Sequence, residues 1–205
     1  KEKNSSIKAL AYQLYENNGV LKRDQVSEYL KDLDQDQRKI LRNLGVKFGR
    51  YHVFLHRLIK PEAVSLRTLL WKNYHQKYFN LKPPTFGLNF IDDKSKNKNF
   101  MLLCGFEKFD NYFVRIDILE RLFIQIINSN PEKNTEIKVI PEMLNLLGCN
   151  KDNFKRLLKS MSYKIIEKNN EIFFKYHPSK KNKKIFEKKT LKESPFKILK
   201  NLNFN

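Results

Sequence analysis

One pattern of apolar residues occurs twice in this sequence, 117 positions apart, and it restricts the folds that the chain can adopt. Each copy holds six apolar residues at the spacing of two short amphipathic helices. The first copy consists of Val26, Tyr29, Leu30, Ile40, Leu41 and Leu44. The second copy consists of Met143, Leu146, Leu147, Leu157, Leu158 and Met161. The pattern predicts two similar units; the alternative is two unrelated helical units whose apolar stripes coincide by chance.

The same two elements flank both copies. A helix is predicted before each copy, with apolar residues at Ile7, Leu10, Ala11 and Leu14 and at Leu119, Leu122, Phe123 and Ile126. A β-hairpin is predicted after each copy, with two-residue turns at Gly49 and Arg50 and at Asn169 and Asn170. One face of the first hairpin is expected to carry Val46, Phe48, Tyr51, Val53 and Leu55. Three helices followed by a hairpin is the order of a winged helix, so we predict two winged-helix-like units in tandem.

The region between the two units is predicted to contain a helix and a linker. The helix begins at Pro61, because proline is favoured in the first turn of a helix. The stretch "FMLLCGFEKFDNYFVRID" is predicted to form an extra hairpin. The predicted domains are residues 1–79, the first unit with its trailing helix; 80–99, the linker; 100–178, the second unit with the extra N-terminal hairpin; and 179–205, a basic tail. The predicted fold class is mainly α with small β-hairpins, an α+β fold.

The charge of the chain favours a polyanionic partner. The sequence has 41 Lys and Arg residues against 22 Asp and Glu, a net charge of +19. Such a charge favours nucleic acid first and an anionic membrane surface second. However, lysine far outnumbers arginine and asparagine is abundant, which is typical of proteins from AT-rich genomes. Composition is therefore only part of the case for nucleic-acid binding.

Catalytic and metal-binding motifs were sought in the sequence and not found. It lacks G-x-x-x-x-G-K-[ST], G-x-S-x-G and H-E-x-x-H, so no enzymatic site can be named. His52 and His56 are too few to form a zinc site, and Cys104 and Cys149 form no C-x-x-C pair. No apolar run approaches the ~18 residues of a membrane span. We expect no cofactor in this chain, no membrane partner and a cytoplasmic, reducing location.

The candidate binding residues are basic and lie on three predicted elements. In a helix-turn-helix unit the last helix faces a groove or phosphates, and the hairpin adds contacts beside it. The candidates are Arg38, Lys39 and Arg42 on the first such helix; Lys47, Arg50 and His52 on the first hairpin; and Lys151, Lys155, Arg156 and Lys159 on the second such helix. For all of them the alternative is a solvated face. Tyr51 is either a stacking residue at the hairpin tip or a core aromatic, and we favour the core.

Four stretches carry a resemblance to a known family: "ALAYQLYENNGVLKR", "LGVKFGRYHVFLHRLIKPEAVSLRTLLW", "GFEKFDNYFVRIDILERL" and "PEMLNLLGC". Together they resemble the C-terminal region of the bacterial relatives of the mitochondrial degradosome RNA helicases. The likeness covers most of residues 5–177. It departs from the family at His56, where proline is usual, and at Glu107 and Lys108, where a basic residue is usual. Both departures affect the expected local surface and leave the resemblance intact.

The resemblance implies a superfamily-two helicase of the DExH type as the parent protein. Its two motor domains would precede Lys1, bind ATP and Mg²⁺, and unwind RNA or DNA; none of their residues maps onto this chain. The sequence begins without Met, and the resemblance implies a fragment of that longer protein; the alternative is an independent protein.

We therefore expect a non-catalytic module that binds single-stranded RNA or DNA, with the motor domains as partners in cis. The alternative is a protein-interaction module that braces the motor or docks on a ribonuclease. A tandem winged-helix transcription factor is the third, less favoured, hypothesis.

Overall fold

The computed structural model describes residues 5–76, 79–129, 136–168 and 171–176. Within these ranges the chain forms eight α-helices and nine short strands, and the strands are grouped into three antiparallel sheets of three strands each. The predicted α+β fold class is confirmed. No helix of the described ranges is both long and apolar enough to span a bilayer.

The first unit, which we call unit I, contains three helices and one sheet. Its elements are α1 (Ser5–Glu16), β1 (Val20–Lys22), α2 (Ser27–Lys31), α3 (Gln35–Asn43), β2 (Val46–Phe48) and β3 (His52–Leu55). The sheet order is β1-β3-β2. Its core is built from Leu10, Leu14, Leu30, Leu41 and Val53, which are almost fully buried. The predicted three helices and hairpin are present, together with one strand, β1, that was not predicted.

The last unit, unit III, repeats the element order of unit I. Its elements are α6 (Ile116–Asn128), β7 (Ile137–Lys138), α7 (Pro141–Leu147), α8 (Lys151–Ser160), β8 (Tyr163–Lys168) and β9 (Glu171–Tyr176). The sheet order, β7-β9-β8, is again first strand, third strand, second strand. Helices α3 and α8 occupy corresponding places, as the 117-residue shift predicts. The turn predicted at Asn169 and Asn170, and the basic tail, lie outside the described residues.

A third unit, unit II, lies between these two in the sequence. A 3₁₀ turn (His56–Ile59) leads from unit I into it. Its elements are α4 (Pro61–Tyr74), β4 (Phe90–Asp92), α5 (Lys98–Leu103), β5 (Phe106–Phe109) and β6 (Tyr112–Arg115). Its sheet order, β4-β6-β5, matches that of the other units, but no helix in its described residues corresponds to α2. The predicted linker, 80–99, therefore contains a sheet strand, and the predicted extra hairpin supplies the other two strands of the same sheet.

The helix before each hairpin is delimited by the same local chemistry in all three units. Helices α3, α5 and α8 begin after an Asp or Asn whose side chain accepts a hydrogen bond from a backbone N–H three residues later. These caps are Asp34, Asn97 and Asn150. A residue with positive φ then turns the chain into the hairpin, namely Gly45 (94°), Gly105 (84°) and Ser162 (67°). Glycine suits two of these positions because it has no Cβ to clash there.

The hairpin of unit I, residues 46–55, is called the wing below, and its turn differs from the prediction by one residue. Gly49 N–H donates to the carbonyl of His52 at 2.8 Å, so the turn residues are Arg50 and Tyr51 rather than Gly49 and Arg50. Val46, Phe48, Val53 and Leu55 share one sheet face as expected, since Val46 pairs with Leu55 and Phe48 with Val53. The prediction that Tyr51 joins them is wrong, because it lies in the turn.

The other face of the unit I sheet packs on the rest of the chain. Val20 and Phe54 point to this face and form a buried cluster with Ile59 and with Ile116, the first residue of α6. Leu102 of α5 packs against the same cluster. The wing thus packs on one side against its own unit, and the central strand β3 packs on the other side against units II and III.

Candidate nucleic-acid interface

Helix α3 buries a narrower stripe than the sequence predicts. A capping box fixes its start: Gln37 N–H donates to Asp34 Oδ1 at 2.7 Å, and Asp34 N–H donates to Gln37 Oε1 at 3.1 Å. Gln37 and Leu41, four residues apart, face the core. Ile40 and Leu44 were expected in the core but are 49% and 66% exposed. A single i, i+4 line is enough to dock so short a helix, so the outer face carries both apolar and basic side chains.

Two of the predicted binding residues are engaged within their own units. Arg38 donates from its guanidinium to the carbonyls of Leu30 (2.6 Å) and Leu33 (3.2 Å), at the C-terminal end of α2 and just beyond it. Lys155 Nζ lies 2.6 Å from Glu167 Oε1, and this hydrogen bond raises the pKa of Lys155. The two residues correspond under the 117-residue shift, and in both units this position ties the helix to a neighbouring element.

Seven of the predicted binding residues are exposed. They are Lys39, Arg42, Lys47, Arg50, Lys151, Arg156 and Lys159. The guanidinium carbon of Arg42 lies 5.7 Å from the centroid of the Phe48 ring, which joins the basic side of α3 to the wing. In unit III, a hydrogen bond to Tyr112 raises the pKa of Arg156 and links α8 to unit II.

The prediction that His52 projects to solvent from the wing is wrong. The register does place it on the same sheet face as Lys47, as expected, but its side chain is only 2% exposed. His52 Nε2 lies 3.0 Å from Glu107 Oε2 on β5, and Nδ1 lies 3.3 Å from Glu120 Oε1 on α6. Packing of units II and III on this face of the sheet covers the imidazole.

Lys22, His52, Glu107 and Glu120 form one charged cluster, which we call the His52 network. Lys22 Nζ donates to Glu107 Oε1 at 2.9 Å. Glu120 also closes the wing turn: Oε1 accepts the backbone N–H groups of Tyr51 (3.0 Å) and His52 (2.9 Å), and Oε2 accepts that of Arg50. With two cations and two anions, the network joins all three units and balances its own charge.

The geometry of the network favours the protonated form of His52. Burial alone lowers the pKa of His52, but hydrogen bonds to Glu107 and Glu120, and the charges of those carboxylates, outweigh burial and raise it. Burial likewise raises the pKa of each glutamate, yet the bonds from His52, Lys22 and the backbone lower both. Since both ring nitrogens face carboxylate oxygens, the imidazolium, which donates from both, is the form that fits.

The wing turn is held rigidly between the network and the core of unit III. A Cβ on Gly49 would overlap the Glu120 carboxylate, so glycine allows the turn to approach α6. The Tyr51 ring packs on Phe123 of α6, with centroids 4.1 Å apart, as the core interpretation of Tyr51 expects. Arg50 therefore presents an exposed side chain from a backbone whose position is fixed. Sequence patterns do not reveal this site, because the glutamates that bind His52 lie 55 and 68 positions away in the chain.

The described residues contain no group of side chains that could hold a metal ion, and burial raises the thiol pKa of both cysteines. No group of three or more His, Cys, Asp or Glu in the described ranges is placed to hold a metal ion. Burial raises the pKa of the Cys104 thiol to about 12 and that of Cys149 to about 11, so both stay protonated at neutral pH.

Comparisons with protein-family models, with curated proteins and with solved structures found no match to this chain. A functional assignment therefore depends on the geometry of the site and on the sequence motifs.

Proposed function

We propose that this chain is a non-catalytic module that grips the phosphate backbone of single-stranded RNA or DNA with little sequence preference. One observation carries the proposal. Arg42, Lys47 and Arg50 are exposed on adjoining elements of unit I, while the nearby carboxylates of Glu107 and Glu120 are buried and paired within the His52 network. These three cations thus face solvent without a carboxylate partner in the described part of the chain, and Glu120 holds the turn that carries Arg50.

The same proposal extends to unit III. Lys151, Arg156 and Lys159 are exposed on α8, and the last two correspond to Lys39 and Arg42 of α3 under the 117-residue shift. Contacts between such residues and phosphates depend on charge rather than on base identity. Two similar units in one chain would offer two such contacts to the same strand, which increases the affinity through effective concentration.

We further propose, from the sequence motifs alone, that the parent protein is a superfamily-two helicase of the DExH type in the cytoplasm. ATP and Mg²⁺ would bind only in its motor domains, and this chain would guide the strand beside them. Sequencing the gene upstream of the Lys1 codon tests the proposal. A G-x-x-x-x-G-K-[ST] motif in the same reading frame supports it, and an upstream region without motor motifs contradicts it.

A second candidate is a bracing module that docks on the motor domains. Helix α4 favours it, because this helix buries Val64 and Thr68 on one side and exposes apolar residues on the other. Those exposed residues are Leu66 (58%), Leu69 (54%), Leu70 (59%) and Tyr74 (85%). An apolar face of this kind is typical of interaction surfaces.

A salt titration separates the two candidates. Phosphate binding must weaken steeply between about 50 and 200 mM salt, whereas docking through an apolar face responds little. In the triple variant Arg42→Gln, Lys47→Gln, Arg50→Gln we expect the log–log slope on a single strand to flatten by about two, because each lost phosphate contact removes about 0.7. The control variant Lys8→Gln, Lys31→Gln, Lys60→Gln makes the same charge change at exposed positions outside the wing and α3. Equal slopes for the two variants would contradict the proposed surface.

A further inference from the structure

Two cavities lie beside the wing turn, the first lined by residues of all three units and the second by residues of units I and III. The first has a volume of about 430 Å³ and includes Arg23 and Phe109 in its lining. The second has a volume of about 450 Å³. Arg50, Tyr51 and Tyr176 line both cavities and therefore stand between them. Each volume falls within the range of about 300–1,000 Å³ that is typical of small-ligand sites.

Tyr176, at the end of β9, supplies an aromatic surface between the two cavities. Its side chain is 50% exposed. Its ring packs at 63° on Tyr163, with centroids 5.4 Å apart, and Tyr163 is itself buried. Burial and the neighbouring Tyr51 and Tyr176 raise the pKa of Tyr163, so its hydroxyl stays neutral. The Tyr176 ring is thus anchored by a buried neighbour, while half of its own surface remains open to solvent and to the cavities.

Cations stand beside this aromatic surface. The Arg50 side chain is exposed, and its backbone is tied to Glu120. Arg23 donates from its guanidinium to the carbonyl of Gly49 at 2.6 Å and so lies at the same turn. Two carboxylates also line the first cavity. That of Glu107 is paired with Lys22 and His52, and that of Asp24 is exposed and accepts the backbone N–H of Gln25 at 3.0 Å. An exposed aromatic ring next to an arginine suits a ligand that has a planar ring next to a phosphate. The planar ring stacks on the aromatic side chain, and the phosphate contacts the guanidinium.

We call the two cavities together, with Tyr176 between them, the cleft. We infer that this cleft receives an unpaired base of the bound strand, with the base stacked on Tyr176 and the adjoining phosphate beside Arg50. The inference rests on the proposed function and adds to it a reason for single-strand preference. Bases in a duplex are stacked on one another and cannot enter the cleft, whereas those of a single strand can. Because every base has a π-face, stacking on Tyr176 requires no particular sequence.

The first test uses the unmodified chain and two single strands of about 16 nucleotides, one with bases and one abasic. We expect the abasic strand to bind about 5- to 100-fold more weakly at the same salt concentration, because stacking on one aromatic residue contributes on that scale. The salt slopes of the two strands should agree, since their phosphates are the same.

Variants then assign the effect to Tyr176. Tyr176→Leu should reduce affinity for the normal strand about 5- to 100-fold and leave affinity for the abasic strand unchanged, whereas Tyr176→Phe should retain tight binding. Tyr15→Leu is the matched control, because Tyr15 is 80% exposed on α1 and lines neither cavity. Thermal unfolding of each variant checks that the fold is intact.

The possible failures are distinct. If the normal and abasic strands bind equally with a steep salt slope, the base cleft is refuted and the phosphate grip stands. If Tyr15→Leu weakens binding as much as Tyr176→Leu, the assignment to this cleft is refuted. If neither strand binds, both the cleft and the proposed function are refuted.

Discussion

Units I and III share an element order but use their third helices and hairpins differently. Under the 117-residue shift, Ile40 of α3 and Leu44 just after it correspond to Leu157 of α8 and Met161 just after it. The first pair is 49% and 66% exposed, and the second is 0% and 8% exposed. Strands β8 and β9 have six residues each and pack Tyr163 and Phe174 into the core with α8. The shorter strands of the unit I wing leave the outer part of α3 uncovered.

The two hairpins also differ in how their charges are balanced. Around the sheet of unit III, Lys155, Lys168 and Lys138 each form an ion pair with a glutamate: Glu167, Glu136 and Glu171 respectively. In the described part of the chain, the side chains of Arg42, Lys47 and Arg50 form no such pair. The carboxylates close to the wing are instead buried in the His52 network. We conclude that these three lysines of unit III are neutralised by glutamate partners, whereas Arg42, Lys47 and Arg50 of unit I are not.

The largest expected effect comes from removing the imidazole of the His52 network. His52→Ala leaves Glu107 and Glu120 buried with their main partner lost, and we expect a loss of about 3–5 kcal/mol in the free energy of unfolding. The comparison is with Lys138→Gln in unit III, which breaks an exposed ion pair and should cost less than about 1 kcal/mol. Urea unfolding of both variants measures the difference. Equal losses would mean that the His52 network contributes no more to the free energy of unfolding than an exposed ion pair does.

The next effect tests the two apolar positions that the repeat equates. Met161→Ala removes a buried side chain and should cost about 2–5 kcal/mol. Leu44→Ala removes an exposed side chain and should change stability by less than about 0.5 kcal/mol. The same urea unfolding measurement serves for both. A large loss in Leu44→Ala would show that the outer face of α3 is covered in solution.

These comparisons indicate which parts of the fold can be predicted from sequence. The equivalence of α3 and α8 is predictable, because apolar periodicity is a local property of the chain. Unit II was missed, because no helix in its described residues corresponds to α2 and its first strand has only three residues. The hairpin of unit II nevertheless repeats the wing at a shift of 60 residues. Val46 pairs with Leu55 in the wing, and Phe106 pairs with Arg115 in unit II.

The candidate site was predictable only in part. The alternation of strand residues correctly places Lys47 and His52 on one face, but only the tertiary structure decides what covers that face. At the edge strand, Lys47 remains exposed, whereas His52 on the central strand is covered by Glu107 and Glu120. Under the 60-residue shift, Lys47 of unit I corresponds to Glu107 of unit II. The same repeated position is therefore basic in one unit and acidic in the other.

A third effect is the pH dependence of stability. The raised pKa of His52 means that its contribution is complete below its usual value of 6.5 and is lost as pH rises through the higher pKa of the folded state. The lowered pKa values of Glu107 and Glu120 mean that their contributions are complete above 4.5 and are lost as pH falls through the lower folded values. Both contributions are therefore present together between pH 4.5 and 6.5.

Unfolding free energies measured across this range check the expectation. Above pH 6.5 the wild-type chain should lose up to about 1.4 kcal/mol per pH unit until the folded pKa of His52 is passed. His52→Ala should lack this alkaline decline, and Lys138→Gln should keep it. A wild-type stability that is constant from pH 6 to 8 would show that the imidazole is not held as a cation.

The smallest expected effect concerns the three paired lysines of unit III, two on its sheet and one on α8. In the variant Lys138→Gln, Lys155→Gln, Lys168→Gln, three positive charges are lost, as in the triple variant of the wing. Each of these lysines already contacts a glutamate, so a phosphate must compete with that carboxylate, and a strand gains little from the contact. We therefore expect the log–log salt slope for single-strand binding to change by less than about one, against about two for the wing variant.

Anisotropy titrations of both variants on one oligonucleotide make the comparison. A decrease as large as that of the wing variant would mean that binding follows net charge alone, and the distinction between the two hairpins would then have no functional consequence.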